Sequence, residues 1–194
     1  MRKIDRSDVR DLIEYEKVRE AFRQRVIDLK KRRRVSVGPY LTFVFENRDT
    51  VLFQIEEMVR AERLVHEKDI VHEIEVYNAL IPGPNELSAT MLIEITDRRR
   101  IQPVLDRFMG IDEGRKVALR FGPERVYGEF EPGHSEADKI SAVHFVRFPF
   151  SAEQSRRFRS GEDAAYLVME HEGYRRRAAL PEEVRRSLTQ DLEA

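Results

Sequence analysis

Two side chains in this sequence could do chemistry by spacing alone. Glu62 and His66 stand four residues apart inside the stretch 49–78. On a helix, residues four apart are neighbours on one face. Winding the stretch at about 100° per residue puts both near the middle of an apolar stripe made by Val51, Leu52, Ile55, Met58, Val59 and Val65. A carboxylate and an imidazole inside an apolar face need partners, because burying either unpaired is costly. Other candidates can join them. His144 alternates in phase with Ile140, Ala142, Val146 and Phe148, so it points inward from a strand. Glu57 and Glu94 fall at helix and strand positions beside buried faces. Two or three carboxylates with one or two imidazoles can hold iron, manganese or zinc and leave open positions for a ligand. The bland alternative is a core histidine donating to a carbonyl and a glutamate paired with arginine. His72 and Glu75 read as solvated helix positions, and His134 and His171 as loop residues.

Composition narrows the chemistry further. The chain has 194 residues, 41% hydrophobic and 37% charged, with a formal net charge of −1. Balanced charge argues against a protein built mainly to bind nucleic acid, which shows a basic excess. There is no cysteine. That removes disulfides, thiolate nucleophiles and cysteine-held metal centres, and fits a reducing cytoplasm. The N-terminal residues lack the apolar core of a secretory signal, and no window is long and apolar enough to span a membrane. No glycine-rich phosphate loop, dinucleotide fingerprint, nucleophile elbow or H-E-x-x-H pattern is present.

The elements that must position these residues follow from periodicity and punctuation. Residues 5–34 read as a helix capped by Ser7, with Tyr15, Val18, Phe22, Val26 and Leu29 inward. It ends in Lys30, Lys31, Arg32, Arg33 and Arg34, where cations favour a helix C-terminus. A nucleic-acid reading would rest on that run alone. Strands are expected over 35–38 and 41–46. Asp49 caps the long helix, which breaks near Lys68-Asp69 and resumes to Asn78. A strand over 87–95 precedes a helix capped by Asp97 and closed by Gly110. A hairpin turns at Gly122-Pro123, and 132–139 reads as a polar loop. A strand over 140–150 leads to a helix with the capping box Ser151/Gln154, ending at Gly161. A second hairpin turns around His171-Glu172-Gly173, and Pro181 starts a final helix. Strand connections are too short for parallel crossovers. The expected fold is α+β, with N-terminal helices and a mostly antiparallel sheet with short packing helices, as one domain over 1–194.

Four strings then stand out as a set. They are residues 54–62 (QIEEMVRAE), 77–82 (YNALIP), 91–94 (MLIE) and 138–145 (DKISAVHF). The sequence resembles a bacterial family of unknown function, domain-of-unknown-function family 3501, across nearly the whole chain. Members of that family are often encoded beside rubrerythrin and a cysteine-rich, iron–sulfur oxidoreductase-like protein. The resemblance therefore implies a cytoplasmic accessory role in a redox or peroxide-handling system, as in oxidative stress, with those proteins as partners. His66 is not part of the family pattern. That leaves Glu57, Arg60 and Asn78 as candidate ligand-binding residues and Glu62, Glu94 and His144 as the candidate metal set. The alternative reading is a metal- or small-ligand-binding enzyme built on this carboxylate–imidazole group.

Overall fold

The structure, a computed structural model, describes residues 1–131, 135–136 and 139–193. The expected loop over 132–139 and its histidine, His134, therefore fall largely outside the described residues. The order of elements is α1 (Leu12–Lys31), β1 (Arg34–Val37), β2 (Leu41–Glu46), α2 (Arg48–Ala61), α3 (Glu67–Asn78), β3 (Glu86–Ile93), α4 (Ile101–Leu105), β4 (Val117–Phe121), β5 (Glu124–Tyr127), β6 (Glu129–Phe130), β7 (Ser135–Glu136), β8 (Lys139–Ile140), β9 (Val143–Pro149), α5 (Ala152–Ser160), β10 (Ala165–His171), β11 (Tyr174–Ala179) and α6 (Glu182–Glu193). The α+β expectation holds, and every strand pairing described is antiparallel.

The strands form two principal sheets, not one. The larger has the order β1-β2-β3-β9-β6, and the smaller β11-β10-β4-β5. Their inner faces meet in an apolar core. Phe43, Phe45, Leu87 and Met91 come from the larger sheet; Leu119, Phe121, Leu167 and Met169 come from the smaller. Fully burying a side chain of this size contributes about 1.5–3 kcal/mol, so this layer is the main source of cohesion. The sheets are stitched at both sides. Tyr174 Oη on β11 donates to the Val37 carbonyl on β1 at 2.6 Å. On the opposite side the chain passes from β5 to β6 through Gly128. A Cβ there would lie 2.5 Å from Val117 Cγ1 and 2.6 Å from Val146 Cγ1, so only glycine fits the crossing.

The helices α1, α2 and α3 form a second apolar cluster that includes Tyr15, Phe22, Val26, Val51, Ile55, Ile70 and Ile74. It lies on the outer face of the larger sheet, since Phe145 packs against it and Glu46 bonds to α2. Glu46 is 2% exposed. Its carboxylate accepts from Thr50 Oγ1 (2.5 Å), Gln54 Nε2 (3.1 Å) and Thr90 Oγ1 (2.7 Å), tying β2 to α2 and β3. The helix starts are set locally. Asn47 caps α2 by accepting from the Thr50 amide, Asp11 caps α1, and Ser151 and Gln154 form the expected reciprocal box on α5. Two starts differ from expectation. Ser7 sits in a single 3-10 turn, Arg6–Asp8, and Asp49 is in the first turn of α2 instead of at its cap.

The basic run also differs from a simple helix terminus. Lys30 and Lys31 end α1, Arg32 is its exposed cap, and Arg34 already belongs to β1. Arg33 is 1% exposed. It donates to the carbonyls of Phe45 (2.7 Å) and Glu46 (3.0 Å), to Ser187 Oγ (3.0 Å) and to the Asp191 carboxylate. One arginine thus fastens α6 to the edge of the larger sheet.

Candidate functional site

The stretch 49–78 is two helices, and the break lies where the candidate pair was expected. α2 ends with Glu62 as its C-cap, and α3 begins with His66 as its N-cap. Arg63 adopts φ 53°, the Leu64 amide donates back to the Val59 carbonyl at 2.9 Å, and the Arg63 amide to the Arg60 carbonyl at 3.3 Å. This pair of bonds closes a helix in a left-handed turn. A helical wheel therefore does not apply across 62–66. Glu62, Val65 and His66 are all exposed, and Glu62 and His66 share no buried face. The break also precedes the expected one at Lys68-Asp69, which lies inside α3.

Glu57 and Arg60 lie on the side of α2 that faces α1. Glu57 accepts from Tyr15 Oη (2.7 Å) and from Arg19 Nε and Nη2 (2.7 and 2.8 Å). The Arg19 guanidinium, then the Tyr15 hydroxyl, hold the Glu57 carboxyl below the usual range. Burial, followed by the Glu57 carboxylate, pushes the Tyr15 hydroxyl upward. Next along the helix, Glu56 is 1% exposed and accepts from Arg10 Nη1 at 2.9 Å. Burial raises its pKa, and the Arg10 contacts oppose that rise. Arg60 Nε donates to Glu16 at 2.5 Å. Asn78 clasps the N-terminal segment: its amide accepts from the Ile4 N–H and donates to the Ile4 carbonyl, both at 2.9 Å. The three candidate ligand-binding residues are thus engaged in joining α1, α2, α3 and the N-terminal segment.

His144 is buried, as alternation implies, but on the other side of the sheet from α2. Its register partner is Met91, a residue of the inter-sheet core. Its Nε2 donates to the Ser141 carbonyl at 2.9 Å, and its ring meets Phe130 edge-on at 5.9 Å. The larger sheet separates it from Glu57 and Glu62. Glu94 is elsewhere again, beyond the end of β3, where it accepts from Arg34 Nη2 (2.7 Å) and the Thr42 hydroxyl. The structure therefore brings no two of Glu62, Glu94 and His144 together. Among the described residues no group of three or more His, Cys, Asp or Glu side chains is disposed to hold a metal ion. His171 is buried at the end of β10, with Nε2 on the Met109 carbonyl at 2.9 Å, not in a loop.

Two exposed surfaces went unnoticed in the sequence. One is a groove of about 440 Å³ between the start of α1 and the α2–α3 turn. Val59, Leu64 and Ile70 line it, and Ile13 and Val65 form its lips. Ile13 is 73% and Val65 71% exposed, the highest values among the large hydrophobics of the described residues that stand in solvent. Arg6 and Arg10 rim it, paired with Glu67 and Glu56. The sequence signal was Ile13, which stands off the Tyr15–Phe22–Val26 stripe. The second is the outer face of the smaller sheet, where Arg175 and Arg177 stand two apart on β11. Among the described residues no helix is long and apolar enough to cross a membrane.

The fold recurs in a known structure. The crystal structure of a novel protein of unknown function from Burkholderia pseudomallei K96243 superposes with a TM-score of 0.90 at 33% identity, covering 98% of this chain and 100% of that one. No curated relative matches the sequence. The profile of the family described as "Protein of unknown function (DUF3501)" matches residues 3–192. With the profile covering nearly the whole chain, the chain belongs to the DUF3501 family.

Proposed function

We propose that this protein is a cytoplasmic accessory protein that acts by binding a partner protein in a redox or peroxide-handling system. The observation that carries the reading is the groove flanked by Ile13 and Val65. Exposed large side chains are ordinary when scattered, but two of them at the lips of one apolar groove form a continuous contact surface. The groove suits an apolar anchor from a partner, seated between two arginines already neutralised by glutamates. Glu57, a candidate ligand-binding residue, supports the same reading together with Glu56, because the two carboxylates hold the helices that build the groove wall. The resemblance set out above points to rubrerythrin or the iron–sulfur oxidoreductase-like protein as the partner.

Isothermal titration of the purified protein against each of these two partners tests the reading. One of them is expected to bind, and Val65→Asp and Ile13→Asp each to weaken that binding tenfold or more, as charged replacements of central contacts do. Both positions are exposed, so the variants retain their melting behaviour within about 0.5 kcal/mol. Binding by neither partner, or equal binding by both Asp variants and wild type, overturns the proposal.

A further inference from the structure

Among the described residues no helix or strand covers the outer face of the smaller sheet, and its rows can be read from the strand register. One row crosses the sheet as Ala179, Tyr166, Arg120 and Arg125. The next runs Arg177, Val168, Ala118 and Tyr127. A third places Arg175 beside Glu170, whose amide bonds to the Lys116 carbonyl. Among the described residues these three rows carry five cations and one carboxylate, on a chain whose formal net charge is −1. Glu170 is committed to Arg125 at 3.2 Å. Arg120, Arg175 and Arg177 are exposed, and they border a depression of about 440 Å³ with Tyr166 and Val168 at its floor. The small Ala118 keeps the space between the two tyrosines low.

The aromatic placement goes beyond a basic patch. The Arg177 guanidinium lies over the Tyr166 ring at 5.4 Å, and that of Arg115 over Tyr127 at 4.9 Å. Each pair presents a flat, π-bearing surface with a cation on it. Unstacked bases rest on aromatic rings and on guanidinium planes alike, while neighbouring cations take the phosphates. A duplex is a poorer match, because its bases are paired and stacked inside the helix and cannot rest on a tyrosine ring. We propose that the outer face of β11-β10-β4-β5 binds single-stranded nucleic acid, with bases stacked at Tyr166 and Tyr127 and phosphates met by Arg120, Arg175 and Arg177. The site lies on the smaller sheet, away from the partner groove among α1, α2 and α3, and does not depend on it.

The test is fluorescence anisotropy with a labelled single-stranded oligouridylate, a duplex of the same length, and competing vesicles of anionic lipid. The single strand is expected to bind in preference to the other two at about 50 mM salt. Its log affinity should fall with log salt with a slope of about −2 to −3, since each neutralised phosphate of a single strand contributes about −0.7. Tyr166→Ala should weaken binding about tenfold or more, whereas Tyr166→Phe, which keeps the ring, should stay within about twofold. Arg177→Gln should weaken binding and flatten the slope, and Arg32→Gln, the same charge change at the exposed cap of α1, should do neither. The proposal is overturned by absence of binding at about 50 mM salt, by a duplex or vesicle that binds as well as the single strand, or by equal losses in Arg177→Gln and Arg32→Gln. It is equally overturned if Tyr166→Ala binds as wild type does.

Discussion

The two sheets turn unlike faces outward. The larger sheet's outer face lies under α1, α2 and α3, where Glu46 is answered by Thr50, Gln54 and Thr90, and at the sheet's edge the buried Arg33 is answered by two carbonyls, Ser187 and Asp191. The smaller sheet's outer face is open, and its arginines reach into solvent over tyrosines. The same residue type therefore has two energetic meanings. A guanidinium out of water must keep every donor occupied, and losing one partner strands a charge. A guanidinium on an open sheet loses little when removed, and its value lies in what can be brought to it. Polar groups under the helices specify the fold, whereas those on the open face are available for binding.

The largest expected effect tests the buried charges of the larger sheet. Asp191→Ala leaves the Arg33 guanidinium buried without its carboxylate and should destabilise by about 3–5 kcal/mol in urea melts. Replacing both, Arg33→Met with Asp191→Leu, should recover most of that loss, because the pair as a whole is far less valuable than its halves. If the double variant is no better than the single, the contrast drawn above between stranded and paired charge fails. A middle effect comes from Glu46→Ala, which deprives three donors of their common acceptor and should cost about 1–3 kcal/mol. A near-zero change there would mean that water answers those donors and that the covered face is wetter than its burial implies. The smallest effect belongs to the open side: Arg177→Gln should leave stability within about 0.5 kcal/mol of wild type. A larger loss would make the arginine face structural and narrow the difference between the two sheets.

Much of this architecture was legible where the determinants are local. The capping box at Ser151/Gln154, the left-handed close at Gly161, the strand Leu41–Glu46 and the hairpin before Tyr174 all depend on residues a few positions apart. The break at Glu62–His66 was not legible, because an arginine, Arg63, occupies the left-handed position that glycine usually marks. Without that mark the apolar spacing ran on through Val65, and Glu62 and His66 were carried into a stripe that does not exist. Alternation placed His144 inward correctly, but both faces of the larger sheet are covered, so inward had two meanings. His144 and Glu62, offered together as a candidate metal set, lie on opposite sides of that sheet for this reason. The arginine face was hidden differently. Arg120 and Tyr166 are neighbours only because β4 pairs with β10, and no local pattern announces a pairing across that distance.

The Arg33–Asp191 contact has a consequence in time. Its two residues are separated by 158 positions. During synthesis at about 5–20 residues per second, Arg33 emerges roughly 10–30 s before the carboxylate that will neutralise it. Through that interval the N-terminal helices and the first hairpin can form, but the edge of the larger sheet carries a cation that must stay hydrated. Closure of the sheet edge is thus deferred until α6 has been made.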